Sequence, residues 1–260
     1  MNFFFSFKNN FIQSRLTIPR FNNFGKYQNS LKVFEAKADS NLWKINEINC
    51  DFNENFYFID ESLTNNDSIF FLAKEDDIEL IKKNNYSKLV CFNNFTSTHP
   101  VEYRSNLKVT VLGGGFSSYQ SDYPFSMIGK KGSILSPLSN LLNKNSDKNI
   151  ILIKNIYEEP IHEAFNLYFV DLIAKKVLRK DKILTNFTNE IVVDPGLIEP
   201  NIYIFTDKYL GIPIYLSIKS NHISFEHTHP PHHYILSNDK FKKVSEIKKE
   251  VHEIINSQFI

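Results

Sequence analysis

Four of the eight histidines in this chain lie close together near its C-terminal end. Neutral imidazole is the commonest metal ligand in proteins, and catalytic zinc sites often combine three protein ligands with one open position. The cluster therefore predicts a site for one divalent transition metal such as zinc. The alternative is a set of structural histidines that form hydrogen bonds where a strand ends at two prolines. The residues concerned are His227, His229, His232 and His233.

The first two of these histidines are expected on one face of a strand. Residues 212–219 alternate apolar and polar side chains, and residues 222–229 alternate again after a two-residue turn. An antiparallel hairpin with that turn places Ile214 opposite His227 and Leu216 opposite Phe225. The imidazole rings then continue an apolar face, whose neighbours offer no carboxylate to orient a metal-bound histidine.

A second group of chemically useful side chains lies between residues 119 and 123. An irregular stretch is expected here, and it combines two aromatic rings with an amide and a carboxylate. Such a set can stack on a sugar ring and hydrogen-bond its hydroxyl groups, and loops on a rigid sheet commonly carry binding residues. The alternative is an ordered loop whose rings pack on the sheet. The ligand-binding residues predicted here are Tyr119, Gln120, Asp122 and Tyr123.

Three consecutive glycines, at positions 113–115, follow a strand predicted over residues 107–112. Glycines after a strand are typical of phosphate-binding loops, but the following residues complete neither a dinucleotide-binding fingerprint nor a P-loop. A nucleophile elbow is also missing from the sequence. We interpret the glycines as a bend or bulge.

The elements that carry these residues predict an α+β fold that is predominantly antiparallel β and sandwich-like. Residues 67–95 have a strand–helix–strand rhythm, which indicates a small N-terminal α/β element. From Lys240 onward, apolar residues recur at three- and four-residue spacing, which predicts an amphipathic helix that packs on the sheet. The predicted organisation is an α/β segment over residues 1–98, a β-rich domain over 99–238 and the C-terminal helix over 239–260.

The composition limits the partners and the compartment. The chain has 260 residues and carries 30 Lys and Arg against 29 Asp and Glu, so a generally basic nucleic-acid binder is excluded and no nucleic-acid partner is expected. Apolar runs are too short for a membrane span. The two cysteines favour a reducing compartment, and the cytoplasm is the expected location. The alternative is an organelle with a cleaved transit segment in residues 1–34, because the first acidic residue is Glu35.

These features favour a β-rich binding or assembly protein whose partner is a glycan or another protein. The alternative is a metal-dependent enzyme of the hydrolase type that uses the histidine cluster to activate water. A purely structural subunit is the third hypothesis. The sequence does not specify a substrate.

Overall fold

The protein is mostly β. A computed structural model describes residues 2–20, 31–74, 77, 79, 88–89, 104–227 and 238–259. Strands make up 49% of these described residues, and they form four small antiparallel sheets arranged in a β-propeller-like ring.

Two of the sheets have five strands each. Sheet I consists, in spatial order, of β10 (Asp122–Pro124), β1 (Asn2–Phe4), β7 (Ile69–Lys74), β3 (Leu31–Asp39) and β4 (Leu42–Glu47). Sheet II consists of β5 (Asp51–Phe52), β6 (Phe56–Asp60), β2 (Ile12–Pro19), β8 (Asn106–Val111) and β9 (Phe116–Tyr119).

The other two sheets have four strands each. Sheet III consists of β15 (Thr188–Val192), β12 (Lys148–Lys154), β17 (Ile212–Lys219) and β18 (His222–His227). Sheet IV consists of β11 (Leu135–Pro137), β16 (Ile202–Thr206), β13 (Ala164–Asp171) and β14 (Lys176–Leu184). Three short 3-10 helices and the C-terminal helix α1 (Lys240–Phe259) complete the described elements; the short ones are Glu61–Leu63, Phe125–Met127 and Pro195–Leu197.

Among the described residues, three hydrophobic cores hold the sheets together. The first lies between sheets I, II and III, the second between sheets III and IV, and the third between sheet IV and α1. Strand β12 shows why sheet III is central: Ile150 and Leu152 enter the first core, whereas Ile151 and Ile153 enter the second. Successive side chains of a strand point to opposite faces, so both faces of this sheet are covered.

The predicted sandwich with an N-terminal α/β element is wrong. Residues 69–74 do form a strand, but β7 pairs antiparallel with β1 and β3 in an all-β sheet. The helix and second strand predicted between residues 75 and 92 lie largely outside the described residues. Residues 69–73 are all buried, and a strand covered on both faces has the continuous apolar run that is typical of parallel α/β sheets.

Several local predictions are confirmed. The β17–β18 hairpin has the expected register, with Ile214 opposite His227 and Leu216 opposite Phe225. Strands β13 and β14 also pair antiparallel. Helix α1 begins at Lys240 and contributes three buried residues to the third core: Val251, Ile254 and Ile255.

Two sheets combine strands from both sides of the predicted boundary at residue 98. Strand β8 pairs with β2, and β10 pairs with β1. In the described part of the chain, no helix is long and apolar enough to span a membrane.

Candidate functional site

The segment with the predicted ligand-binding residues forms a corner between two sheets. Tyr119 ends β9 at the edge of sheet II, and Asp122 begins β10 at the edge of sheet I. Gln120 and Ser121 connect the two strands, and Ser121 accepts a backbone hydrogen bond from Phe5 at 3.2 Å. The expected irregular loop is therefore two short strands with a fixed corner, which holds its side chains in defined positions.

This corner contacts the first histidine of the cluster. Nε2 of Gln120 lies 3.2 Å from Nε2 of His227, across 107 residues of sequence. The rings of Tyr119 and His227 pack edge to face, with centroids 4.2 Å apart and an interplanar angle of 70°. One residue of the predicted metal cluster, His227, thus contacts two of the predicted ligand-binding residues. We call the residues that lie together here the corner site: Arg104, Tyr119, Gln120 and His227.

Arg104 fixes the orientation of the Gln120 side chain. Its guanidinium donates a hydrogen bond to Oε1 of Gln120. Because arginine has only donors, the amide nitrogen of Gln120 must face His227 and donate to it. In a neutral imidazole, Nε2 of His227 then accepts this hydrogen bond. The arginine, the amide and the imidazole form one directed hydrogen-bond chain.

Below the corner site, the remaining predicted ligand-binding residues are buried. Asp122 is 9% exposed and its Oδ2 accepts a hydrogen bond from Ser105 at 3.1 Å. The Ser105 and Ser121 hydroxyls are also 3.1 Å apart. Tyr123 is fully buried, and burial raises the pKa of its hydroxyl well above the usual value. Tyr119 and Gln120 are half-buried and reach the surface, whereas Asp122 and Tyr123 are buried in the interior next to the corner.

Sequence reasoning missed Arg104 and Ser105. Arg104 is exposed and Ser105 is buried, and both precede β8. Their contacts with Gln120 and Asp122 arise because β8 and β9 form a hairpin that returns the chain to the same end of sheet II. A hairpin over residues 106–119 is the sequence signal from which these contacts could have been predicted.

The three glycines allow the tips of two hairpins to contact each other. Gly113 has φ +72° in the β8–β9 turn, a conformation that glycine adopts without strain. The amide of Gly115 donates to the carbonyl of Asn221 at 2.7 Å, in the turn of the β17–β18 hairpin. This contact holds β9 beside β18 and so helps to position Tyr119 against His227. The predicted bend is a hairpin turn.

Gly114→Ala is expected to lower the free energy of unfolding by about 1–3 kcal/mol, since overpacking forces neighbouring atoms apart. A Cβ at position 114 would lie 2.5 Å from the Asn221 carbonyl oxygen. Gly196→Ala is the matched control, because its Cβ would meet no atom within 4 Å. Chemical denaturation of both variants measures the difference. Equal stability of the two variants would contradict the close contact between the hairpin tips.

The metal site stays a prediction. His229, His232 and His233 lie outside the described residues, and the ring of His227 uses Nε2 to accept a hydrogen bond from Gln120. Within the ranges that the structure describes, no group of three or more His, Cys, Asp or Glu residues is placed to hold a metal ion.

Comparisons with known proteins add no assignment: no family model, no curated protein and no solved structure matches this chain.

Proposed function

We propose that this chain is a binding protein and that the corner site binds a carbohydrate. The proposal rests on the convergence of Tyr119 and Gln120 with His227, since the shared site presents an aromatic ring and several fixed polar groups at the surface. Binding residues are commonly found where side chains from separate elements meet on a rigid scaffold.

The side chains of the corner site suit a sugar. The Tyr119 ring offers an apolar surface for the C–H groups of a pyranose, and the exposed Arg104 guanidinium supplies donors for its hydroxyl groups. Gln120 is held by Arg104 on one side and His227 on the other. Little side-chain freedom remains to be lost on binding, and this favours affinity.

The scaffold also supports a binding role. The sheets form a β-propeller-like ring, an architecture that is often used for binding and assembly. The corner site lies where the edge strands of sheets I, II and III meet.

A glycan array with the purified chain tests the proposal. We expect binding to a defined group of saccharides and a loss of at least about tenfold in affinity for Tyr119→Ala and Gln120→Ala. Tyr119→Ala removes the stacking contact, and Gln120→Ala removes the charge-assisted hydrogen-bond network. The loss of either interaction corresponds to a factor of about ten in affinity. Isothermal titration with the best saccharide gives the affinities.

Phe116→Ala is the matched control for this experiment. Phe116 is 65% exposed on the same strand as Tyr119, three residues away, and projects from the other face of sheet II. The control is expected to bind like the unchanged chain. Retention of full affinity by Tyr119→Ala would overturn the site, and binding to no saccharide would overturn the ligand class.

The alternative, a metal-dependent hydrolase that uses His227, His229, His232 and His233, stays a prediction. Metal binding at Nε2 of His227 would require that the bond to Gln120 be broken. Elemental analysis of untagged protein tests this alternative, and stoichiometric zinc would favour it over the carbohydrate proposal.

A further inference from the structure

Lys154 is a fully buried lysine at the end of β12. Its relative exposure is 0%, and its side chain lies on the face of sheet III that packs against sheet I. Lysine is almost never fully buried without a partner, because removing an ammonium from water is costly. The environment of this amine therefore decides which protonation state the fold accepts.

The described acceptors of the Lys154 amine are two backbone carbonyls. Nζ lies 3.2 Å from the oxygen of Asn66 and 2.9 Å from the oxygen of Ser68. A neutral amine has two N–H donors, and these two carbonyls satisfy both. Protonation adds a third N–H and a full charge at a site without solvent.

The nearby carboxylates are already engaged. Oε1 of Glu35 lies 3.2 Å from Nζ of Lys37 and accepts a hydrogen bond from the Ser68 hydroxyl. Asp67 lies 3.9 Å from the same Lys37 ammonium. On β15, the exposed Glu190 contacts Asn9. Glu35 and Asp67 attract a proton to Lys154, but they are shared with Lys37 and do not contact the amine directly.

The segment that Lys154 holds, residues 65–68, connects several elements. The Asn66 carbonyl also accepts from the amide of Thr188 in β15 at 2.7 Å, and the Asn66 side chain accepts from the amide of Lys8 at 3.1 Å. Loss of the Lys154 contact would leave this turn with fewer bonds to sheet III.

We propose that Lys154 is a proton-operated latch: as a neutral amine it holds the turn at residues 65–68 against sheet III, and protonation releases that turn. This inference concerns regulation of the fold and does not depend on the carbohydrate proposal. The latch joins sheet I to sheet III. Sheet I carries β10, which lies next to the corner site, and sheet III carries β18, which holds His227.

The direction of the pH dependence follows from burial. Desolvation lowers the pKa of Lys154 from 10.5 to about 7. Between these two values the unfolded chain holds more protons at this position than the folded chain, so stability rises with pH through the window. As the pH falls towards 7 that stability is lost, and the latch weakens.

Amide hydrogen exchange tests the latch in the full chain. Between pH 8.5 and 6.5, we expect the protection factors of the Thr188 and Ser68 amides to fall about twentyfold, as linkage gives for a pKa of about 7. In Lys154→Met this pH dependence disappears, because methionine fills the site and carries no proton. Lys148→Met is the matched control, from the same face of β12, and keeps the dependence.

The amide of Leu167 in sheet IV is the internal reference. Loss of protection at Thr188 and Ser68, with Leu167 unchanged, supports the latch. An equal loss at all three amides would overturn it, as would pH-independent protection. If Lys154→Met does not fold, an NMR titration of the Lys154 amine in the unchanged chain decides: a pKa near 7 supports the latch, and one near 10 overturns it.

Discussion

Asn186→Ala is expected to lower the free energy of unfolding by at least about 3 kcal/mol, since each buried polar group left without a partner costs about 1–3 kcal/mol. The Asn186 side chain is fully buried and makes three hydrogen bonds to backbone. Nδ2 donates to the carbonyls of Glu159 at 2.7 Å and Ile161 at 3.0 Å, and Oδ1 accepts from the amide of Tyr157 at 2.7 Å. The substitution removes all three bonds, which connect the β14–β15 turn to the segment after β12.

Asn41→Ala is the control that distinguishes the contribution of these hydrogen bonds to stability from the contribution of backbone strain. Both asparagines have positive φ, 53° for Asn186 and 73° for Asn41, but Asn41 is exposed. Alanine at either position adds about 1 kcal/mol for the left-handed conformation. Urea denaturation is expected to show a small loss for Asn41→Ala and a much larger one for Asn186→Ala. Similar losses would mean that strain, and not the buried network, determines the cost.

Phe3→Ala is expected to lower the free energy of unfolding by about 3–5 kcal/mol, the range for removing a buried phenylalanine. Phe3 is fully buried in β1, between β10 and β7. Its ring packs edge to face on Phe71, with centroids 6.2 Å apart, and stacks on Phe125 at 6.1 Å. Phe3 is also the pairing partner of Tyr123, so the cavity that the substitution creates lies directly beside the corner of the proposed site.

Phe52→Ala is the control for Phe3→Ala. Phe52 is 64% exposed, so its removal is expected to change the stability by less than about 1 kcal/mol. Thermal and chemical denaturation of both variants measure the contrast. A loss for Phe3→Ala no larger than that for Phe52→Ala would contradict an interior role for the first strand.

The same strand lies in the segment that a transit peptide would occupy, so cleavage there would remove part of sheet I.

Part of the local pairing in this fold follows from the sequence. The alternation on both sides of Ser220 and Asn221 determines the β17–β18 register, because a shift by one residue would move Phe225 and Ile223 to the other face. Apolar spacing likewise defines α1. Both patterns depend only on residues that are near each other along the chain.

The arrangement of the sheets does not follow from the sequence. Strands such as β7 and β12 are covered on both faces, and a continuous apolar run does not distinguish a central antiparallel strand from a parallel one. The ring also joins β1 to β10 across more than a hundred residues. Such pairings depend on tertiary packing, for which a single sequence contains no local signal.

The candidate site was predictable only in parts. The face on which His227 lies follows from the hairpin, and the chemistry of Tyr119 and Gln120 is evident from residue type. Their contact is not, because β9 and β18 belong to different sheets and meet where the turn that contains Gly115 contacts the turn that contains Asn221.

NMR titration with saccharides tests most directly whether Gln120 and His227 belong to one binding site. The chain is titrated with the saccharide that binds best, and the side-chain amide of Gln120 and the ring of His227 are observed together with the ring of Phe116. We predict that the Gln120 and His227 resonances shift along one saturation curve while those of Phe116 stay in place. Saturable binding that leaves both Gln120 and His227 unshifted would contradict the proposed site.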